Sequence, residues 1–271
     1  MKNKKTSVKK IAVKKAPIKK APIKKAAELI AELEAMAKKQ NKNKDNREVL
    51  QRFFKTGKGQ YGEGDVFLGI NVPSVRRLAK KYQDVTNIEV KRLLMNKAHE
   101  VRLAGLLILV AKYEKAKTRD EKRALVGFYL EHSSRVNNWD LVDLSVYKIL
   151  GDFLLEEAPK KAQAVLNKLA SSKNMWERRM AMVSTFSFIK AGRKEEVFII
   201  AKKLMKDGED LIHKASGWML REAGKRIGEK ELKEFLDMNH KEMPRTALRY
   251  AIERLDEAKK KYYMKLKDMI K

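Results

Sequence analysis

The eight residues Trp139-Asp-Leu-Val-Asp143-Leu-Ser-Val146 decide how the chain is read. Trp139 and Asp143 stand four apart, which places an indole and a carboxylate on one face of one helix. The run that starts at Asp143, a charged residue followed by small or apolar ones, recurs along the chain. It is found at Arg102-Leu-Ala-Gly105, Arg179-Met-Ala-Met182, Lys214-Ala-Ser-Gly217 and Arg245-Thr-Ala-Leu248, with steps of 41, 36, 35 and 31 residues between charged positions. Helix pairs repeating at roughly 30–47 residues mark an α-solenoid of HEAT or related type. A single pair cannot cover its own apolar face, so neighbours stack over a continuous core, and the small residues after each charge permit close packing. The fold class expected is all-α, a HEAT-like solenoid of stacked antiparallel helix pairs.

Helical periodicity extends outward from this run over residues 28–271, one helical repeat domain with a concave groove. Helices are expected near 27–39, 44–56, 73–83, 87–96, 98–115, 118–132, 138–155, 159–171, 174–190, 194–206, 210–227, 229–237 and 244–266. Pro73, Pro159 and Pro244 fall where a first helical turn tolerates proline. Residues 1–27 are different: eleven Lys and no acid, with Lys pairs recurring every five residues and Pro17 and Pro22 interrupting any helix. This segment is expected to be a disordered basic tail. It lacks the apolar stretch of a secretory signal and the arginines of a mitochondrial presequence. A nonspecific nucleic-acid tether and a merely solubilising tail are what remain.

The chain of 271 residues carries 63 Lys+Arg against 35 Asp+Glu, a formal charge of +28. A charge of that size points to a polyanionic partner. With no cysteine, a disulfide scaffold, a thiolate metal site and a Cys nucleophile are excluded. No apolar run approaches the ~18 residues needed to span a bilayer, so no membrane partner is expected.

Within the repeat register four of the five aligned positions carry a cation and the fifth is Asp143. A basic groove with one carboxylate set into it is one reading. An ordinary surface Asp pairing with Lys148 or Arg135 is the other. Trp218 and Arg221 share a helix face, and Trp176-Glu-Arg178-Arg179 offers guanidinium groups suited to bidentate phosphate contact. Three Trp, each beside charge, favour use over packing. Gly57-Lys-Gly59-Gln-Tyr-Gly62 matches G-x-G-x-x-G, but a helix rather than a strand precedes it, so it reads as a flexible loop. The four His lie in different helices or at their ends without ligand spacing, and no metal site or other cofactor is expected.

Four segments in order and approximate spacing carry a resemblance: Phe67-Leu-Gly-Ile-Asn-Val-Pro73, Trp139-Asp-Leu-Val-Asp143, Asn174-Met-Trp-Glu-Arg-Arg179 and Gly217-Trp-Met-Leu-Arg221. Over roughly residues 30–258 the chain resembles the AlkD-like DNA alkylation repair family, HEAT-like solenoids that are DNA glycosylases. The resemblance implies a catalytic Asp143 flanked by Trp139 and Trp218, with Arg179 clamping a phosphate and Arg221 on the backbone. Arg178, Lys214, Arg102 and Arg245 join these as DNA-binding residues. Asn71 stands where some members carry Gln, at a position implied to contact the residues flanking a lesion. The implied substrate is double-stranded DNA with cationic N3- or N7-alkylated purines, such as 3-methyladenine or 7-methylguanine. It would be hydrolysed without base flipping by a monomeric, monofunctional, cytoplasmic and nucleoid-associated enzyme of base excision repair. A noncatalytic solenoid binding damaged or distorted nucleic acid is the alternative, and a scaffold for acidic protein partners a third reading.

Overall fold

The computed structural model describes residues 24–41 and 46–269. Most of the expected basic tail, residues 1–23, lies outside the described residues. Among the described residues the structure is helical, and its single extended pairing is an isolated bridge between Val66 and Ala98. The helices are α1 (Lys24–Gln40), α2 (Arg47–Phe53), α3 (Val72–Lys81), α4 (Asn87–Leu94), α5 (His99–Lys115), α6 (Arg119–Glu131), α7 (Trp139–Val146), α8 (Asp152–Leu155), α9 (Pro159–Ala170), α10 (Met175–Lys190), α11 (Glu195–Lys203), α12 (Asp210–Arg226), α13 (Glu229–Asn239), α14 (Arg245–Ala251) and α15 (Glu257–Asp268).

These helices form two rows. One row runs α5, α7, α10, α12 and α14, each packed on the next. The other row covers it, with α4 and α6 on α5, α9 and α11 on α10, and α13 on α12. All five positions of the sequence register, residues 102, 143, 179, 214 and 245, fall in the first row. The row is held closely where the register places small residues. A Cβ on Gly217 of α12 would lie 2.4 Å from the Ala247 carbonyl oxygen and the Tyr250 Cβ of α14. Helices α5 and α10 are buried on nearly every side, as expected of helices sandwiched within a stack.

Local signals set the helix ends. Thr86 with Glu89 and Thr118 with Glu121 form reciprocal capping boxes at α4 and α6. Asn138 and Asn174 cap α7 and α10, the two helices that carry Asp143 and Arg179. Helix α7 passes into α8 through a π-helical turn at Tyr147–Gly151. The Ser187 hydroxyl of α10 donates to the Tyr147 carbonyl at 2.7 Å, engaging a backbone oxygen within that turn.

Three boundaries differ from expectation. Helix α1 begins at Lys24 instead of 27, because Ala26 is buried and the Lys25 and Ala26 amides donate to Glu89 at 3.2 and 3.3 Å. Of the expected helix 44–56, residues 44 and 45 lie outside the described residues, and the described part is α-helical over Arg47–Phe53, ending just before Lys55 takes a positive φ of 50°. The expected helix 244–266 is two helices: the chain turns at Ile252–Asp256, where Leu255 is buried and Asp256 caps α15.

Candidate active site

The site is built on a buried ion network at the start of the first row. Asp65 accepts from the Arg102 Nη2 at 2.5 Å and from the Asn138 amide at 3.2 Å, and His99 Nδ1 lies 3.3 Å away. On its other side His99 reaches Asp140 through Nε2 at 2.8 Å. Burial disfavours the charged imidazole, yet the hydrogen bonds to Asp140 and Asp65 push His99 up to about 9. Burial likewise works against the Asp65 carboxylate, but His99 and the Arg102 charge hold it below its ordinary value. Next to this network Glu100 accepts the amides of Leu68, Gly69 and Ile70 at 2.8, 2.9 and 3.2 Å, fixing the loop before α3 onto α5.

From the network a stack of rings leads to Trp139. His99 lies against Phe67 at 4.5 Å, Phe67 against Phe54 at 4.8 Å, and Phe54 against Trp139 at 5.2 Å, all nearly parallel. With Asn138 and Asp140 bonded on either side, the indole is held from both its neighbours and its face. It forms one wall of a cavity of about 570 Å³ opening along α7, α10 and α12.

Asp143 lies in that cavity, its side chain 18% exposed. Arg179 of α10 grips it bidentately, Nε to Oδ1 at 2.9 Å and Nη2 to Oδ2 at 2.7 Å, and also donates to the Leu211 carbonyl. Asp143 therefore pairs with Arg179 and not with Lys148 or Arg135. Burial pushes the Asp143 carboxyl up, against the opposing charge and hydrogen bonds of Arg179. Trp218 forms a further wall, and Lys214 and Arg221 also line the cavity. Lys214 is paired with Asp210 at 2.9 Å. Arg221 is paired with Glu253, while its buried Nε–H has no partner among the described residues.

The cavity thus brings together Asp143, Trp139, Trp218, Arg179, Lys214 and Arg221. Four other expected DNA contacts are engaged elsewhere. Arg102, 1% exposed, is spent on Asp65 and the carbonyls of Asn96 and Lys97. Arg178 forms a two-point pair with Asp207 and bonds the carbonyls of Ser172 and Lys173. Arg245 pairs with Asp268 at a separate depression between α14 and α15. Asn71 caps α3, accepting from the Ser74 amide at 2.9 Å. Trp176 is core, so of the three Trp only Trp139 and Trp218 face the cavity. The stretch expected to be a flexible loop is a bonded turn: the Gly62 amide donates to the Lys55 carbonyl at 3.1 Å and the Gly59 amide to Glu63 at 2.7 Å.

The model of the family described as DNA alkylation repair enzyme matches residues 29–255. The chain belongs to this DNA alkylation repair enzyme family. Among solved structures it is similar to a predicted DNA alkylation repair enzyme from Enterococcus faecalis, at 16% identity and a TM-score of 0.59, over 79% of this chain and 97% of that one. It is also similar to AlkD2 from Streptococcus mutans, at 16% identity and a TM-score of 0.50, over 77% of this chain and 96% of that one. At such identities the likeness shows the fold. No curated protein matches the chain.

For this family member, sequence reasoning missed Phe53, Lys55, Tyr61 and Tyr250, which line the cavity with Glu209 and Asp210. Phe53 and Tyr61 come from the segment around the glycine-rich turn. Tyr250 follows the Arg245 run by one helical turn, and that spacing was the one available signal. Among the described residues no group of acids and histidines is arranged to hold a metal ion. No helix there is long and apolar enough to cross a membrane.

Proposed function

We propose that this protein is a DNA glycosylase that hydrolyses the N-glycosidic bond of cationic N3- or N7-alkylated purines in double-stranded DNA. The observation that carries the reading is a largely buried carboxylate, Asp143, that shares one cavity with two indoles, Trp139 and Trp218, and with the cations Lys55, Arg179, Lys214 and Arg221. Alkylation at N3 or N7 puts a positive charge on the base, which then leaves with the bonding electron pair as a neutral molecule. The sugar left behind is oxocarbenium-like, as in glycoside hydrolysis. Asp143 stabilises that charge and accepts the proton of the water that attacks C1′. The faces of Trp139 and Trp218 attract the same developing cation.

Arg179 acts here through Asp143. Its two hydrogen bonds favour the ionised carboxylate and fix its orientation, leaving lone pairs to meet the sugar. Phosphate contact falls to the other cations that line the cavity, Lys55, Lys214 and Arg221. In this reading the lesion stays stacked in the duplex, the site acting on sugar and backbone. The reading takes the enzyme as a monomer. Selectivity follows from the lability of the charged base, so neutral damaged bases are poor substrates.

A second reading has one observation behind it: both Asp143 oxygens are already engaged by Arg179, as in a structural ion pair. A noncatalytic binder of distorted nucleic acid would then result. Quantifying free 3-methyladenine and 7-methylguanine released from methylated duplex DNA separates the two. Release supports the glycosylase, and binding without release supports the binder.

A further inference from the structure

The cavity has an aromatic residue at its edge that the proposed chemistry does not use. Phe53, the last residue of α2, is 62% exposed, although its neighbour Phe54 is buried in the ring stack beneath Trp139. The Phe53 ring therefore stands largely open to solvent at the cavity. It is nonetheless held in place, with its ring edge-on to Phe54 at 5.1 Å and to Trp139 at 5.9 Å.

The backbone after it is constrained too. Lys55 takes φ 50°, a left-handed conformation that side chains with a Cβ rarely adopt. Strain of this kind persists where surrounding structure enforces it, and here Gly62 does so. The Gly62 amide binds the Lys55 carbonyl, and a Cβ on Gly62 would stand 2.4 Å from the Phe54 carbonyl oxygen. The result is a hydrogen-bonded turn that presents the Phe53 ring and the Lys55 ammonium together at the cavity. The Lys55 ammonium lies 6.0 Å from the Tyr61 ring centroid and forms no ion pair among the described residues.

An exposed ring beside an unpaired ammonium matches the two features of a nucleic-acid strand, a base face and a phosphate. We propose that Phe53 is a stacking residue, its ring packing on a nucleobase left without its stacking neighbour once the alkylated base has been released, while Lys55 takes an adjacent phosphate. The proposal rests on the reading of the cavity as a DNA site. It adds a surface that recognises the gap left in the base stack after release, distinct from the alkyl group itself.

The test is equilibrium binding of the full chain to two duplexes, one intact and one carrying an uncleavable tetrahydrofuran abasic analogue. Such binding requires no base release. Phe53→Ala is expected to lower the preference for the abasic duplex by about five- to a hundredfold, the worth of one base–aromatic stack. Phe53→Tyr should retain that preference and Phe53→Leu should not, because a leucine of similar bulk has no ring. Lys55→Gln should weaken binding to both duplexes and reduce the slope of log K against log salt by about 0.9. Unchanged preference in Phe53→Ala, or full preference in Phe53→Leu, overturns the proposal while leaving the glycosylase reading intact. If the wild type binds neither duplex, both readings fall together.

Discussion

Arg179 holds both carboxylate oxygens of Asp143, at 2.9 and 2.7 Å, across the contact between α10 and α7. The two residues occupy equivalent places in successive repeats, so the pair is formed by stacking of the repeats themselves. An acid in a row of cations thereby obtains a fixed partner, and burial raises its proton affinity against that partner's charge.

The pH dependence of base release follows. Activity requires ionised Asp143 and is lost as pH falls through its pKa. Because burial raises that pKa, the acid limb of the pH–rate profile should lie above the ordinary carboxylate value of about 3.9. Arg179→Gln removes the opposing charge and should move the limb further up. A limb unmoved by Arg179→Gln would separate Asp143 from the rate.

Trp139 and Trp218 should each matter to release. Cation–π attraction in a desolvated site is worth up to about 2 kcal/mol, so Trp139→Ala or Trp218→Ala should slow release by about tenfold or more. Trp139→Phe, which keeps a ring on the Phe54 stack, should recover part of the loss. Release rates from methylated duplex DNA check this, with thermal unfolding confirming that the variants remain folded.

His99 gives the fold a pH window. Its folded value of about 9 lies above the ordinary imidazole value of 6.5, so its pairing contributes fully below pH 6.5 and is lost as pH rises through 9. The contribution at stake is on the order of 3 kcal/mol. Urea unfolding at pH 6 and pH 9.5 should show the decline for the wild type and a flatter dependence for His99→Gln.

The repeat was legible because one helix of each pair must carry small residues for close packing, and all five aligned positions lie in one row. The roles of individual cations were not legible. Arg102 is neutralised by Asp65, 37 residues earlier in a loop, and no local pattern announces that partner. Arg178 is taken in the same way by Asp207. Phe53 and Lys55 reach the cavity through a turn closed by Gly62, a backbone geometry that a motif search reads only as glycine-rich. The break before α15 had a signal, the capping Asp256, inside an otherwise continuous helical pattern.

The nine Lys of residues 1–23 should contribute charge to nonspecific DNA binding. Removing them should weaken binding to undamaged duplex and flatten its salt slope, with release on short methylated duplexes largely retained. The deletion should stop at residue 23, since Ala26 is buried and Lys25 binds Glu89 through its amide. An unchanged slope would deny the segment any contact with DNA.

Base release from methylated duplex DNA, compared between wild type and Asp143→Asn at equal bound fraction, decides whether Asp143 is catalytic. Free 3-methyladenine and 7-methylguanine are expected from the wild type, with release slower by on the order of a hundred- to a thousandfold from the variant. Equal release from both proteins, or none from the wild type while it remains bound, would contradict a catalytic Asp143.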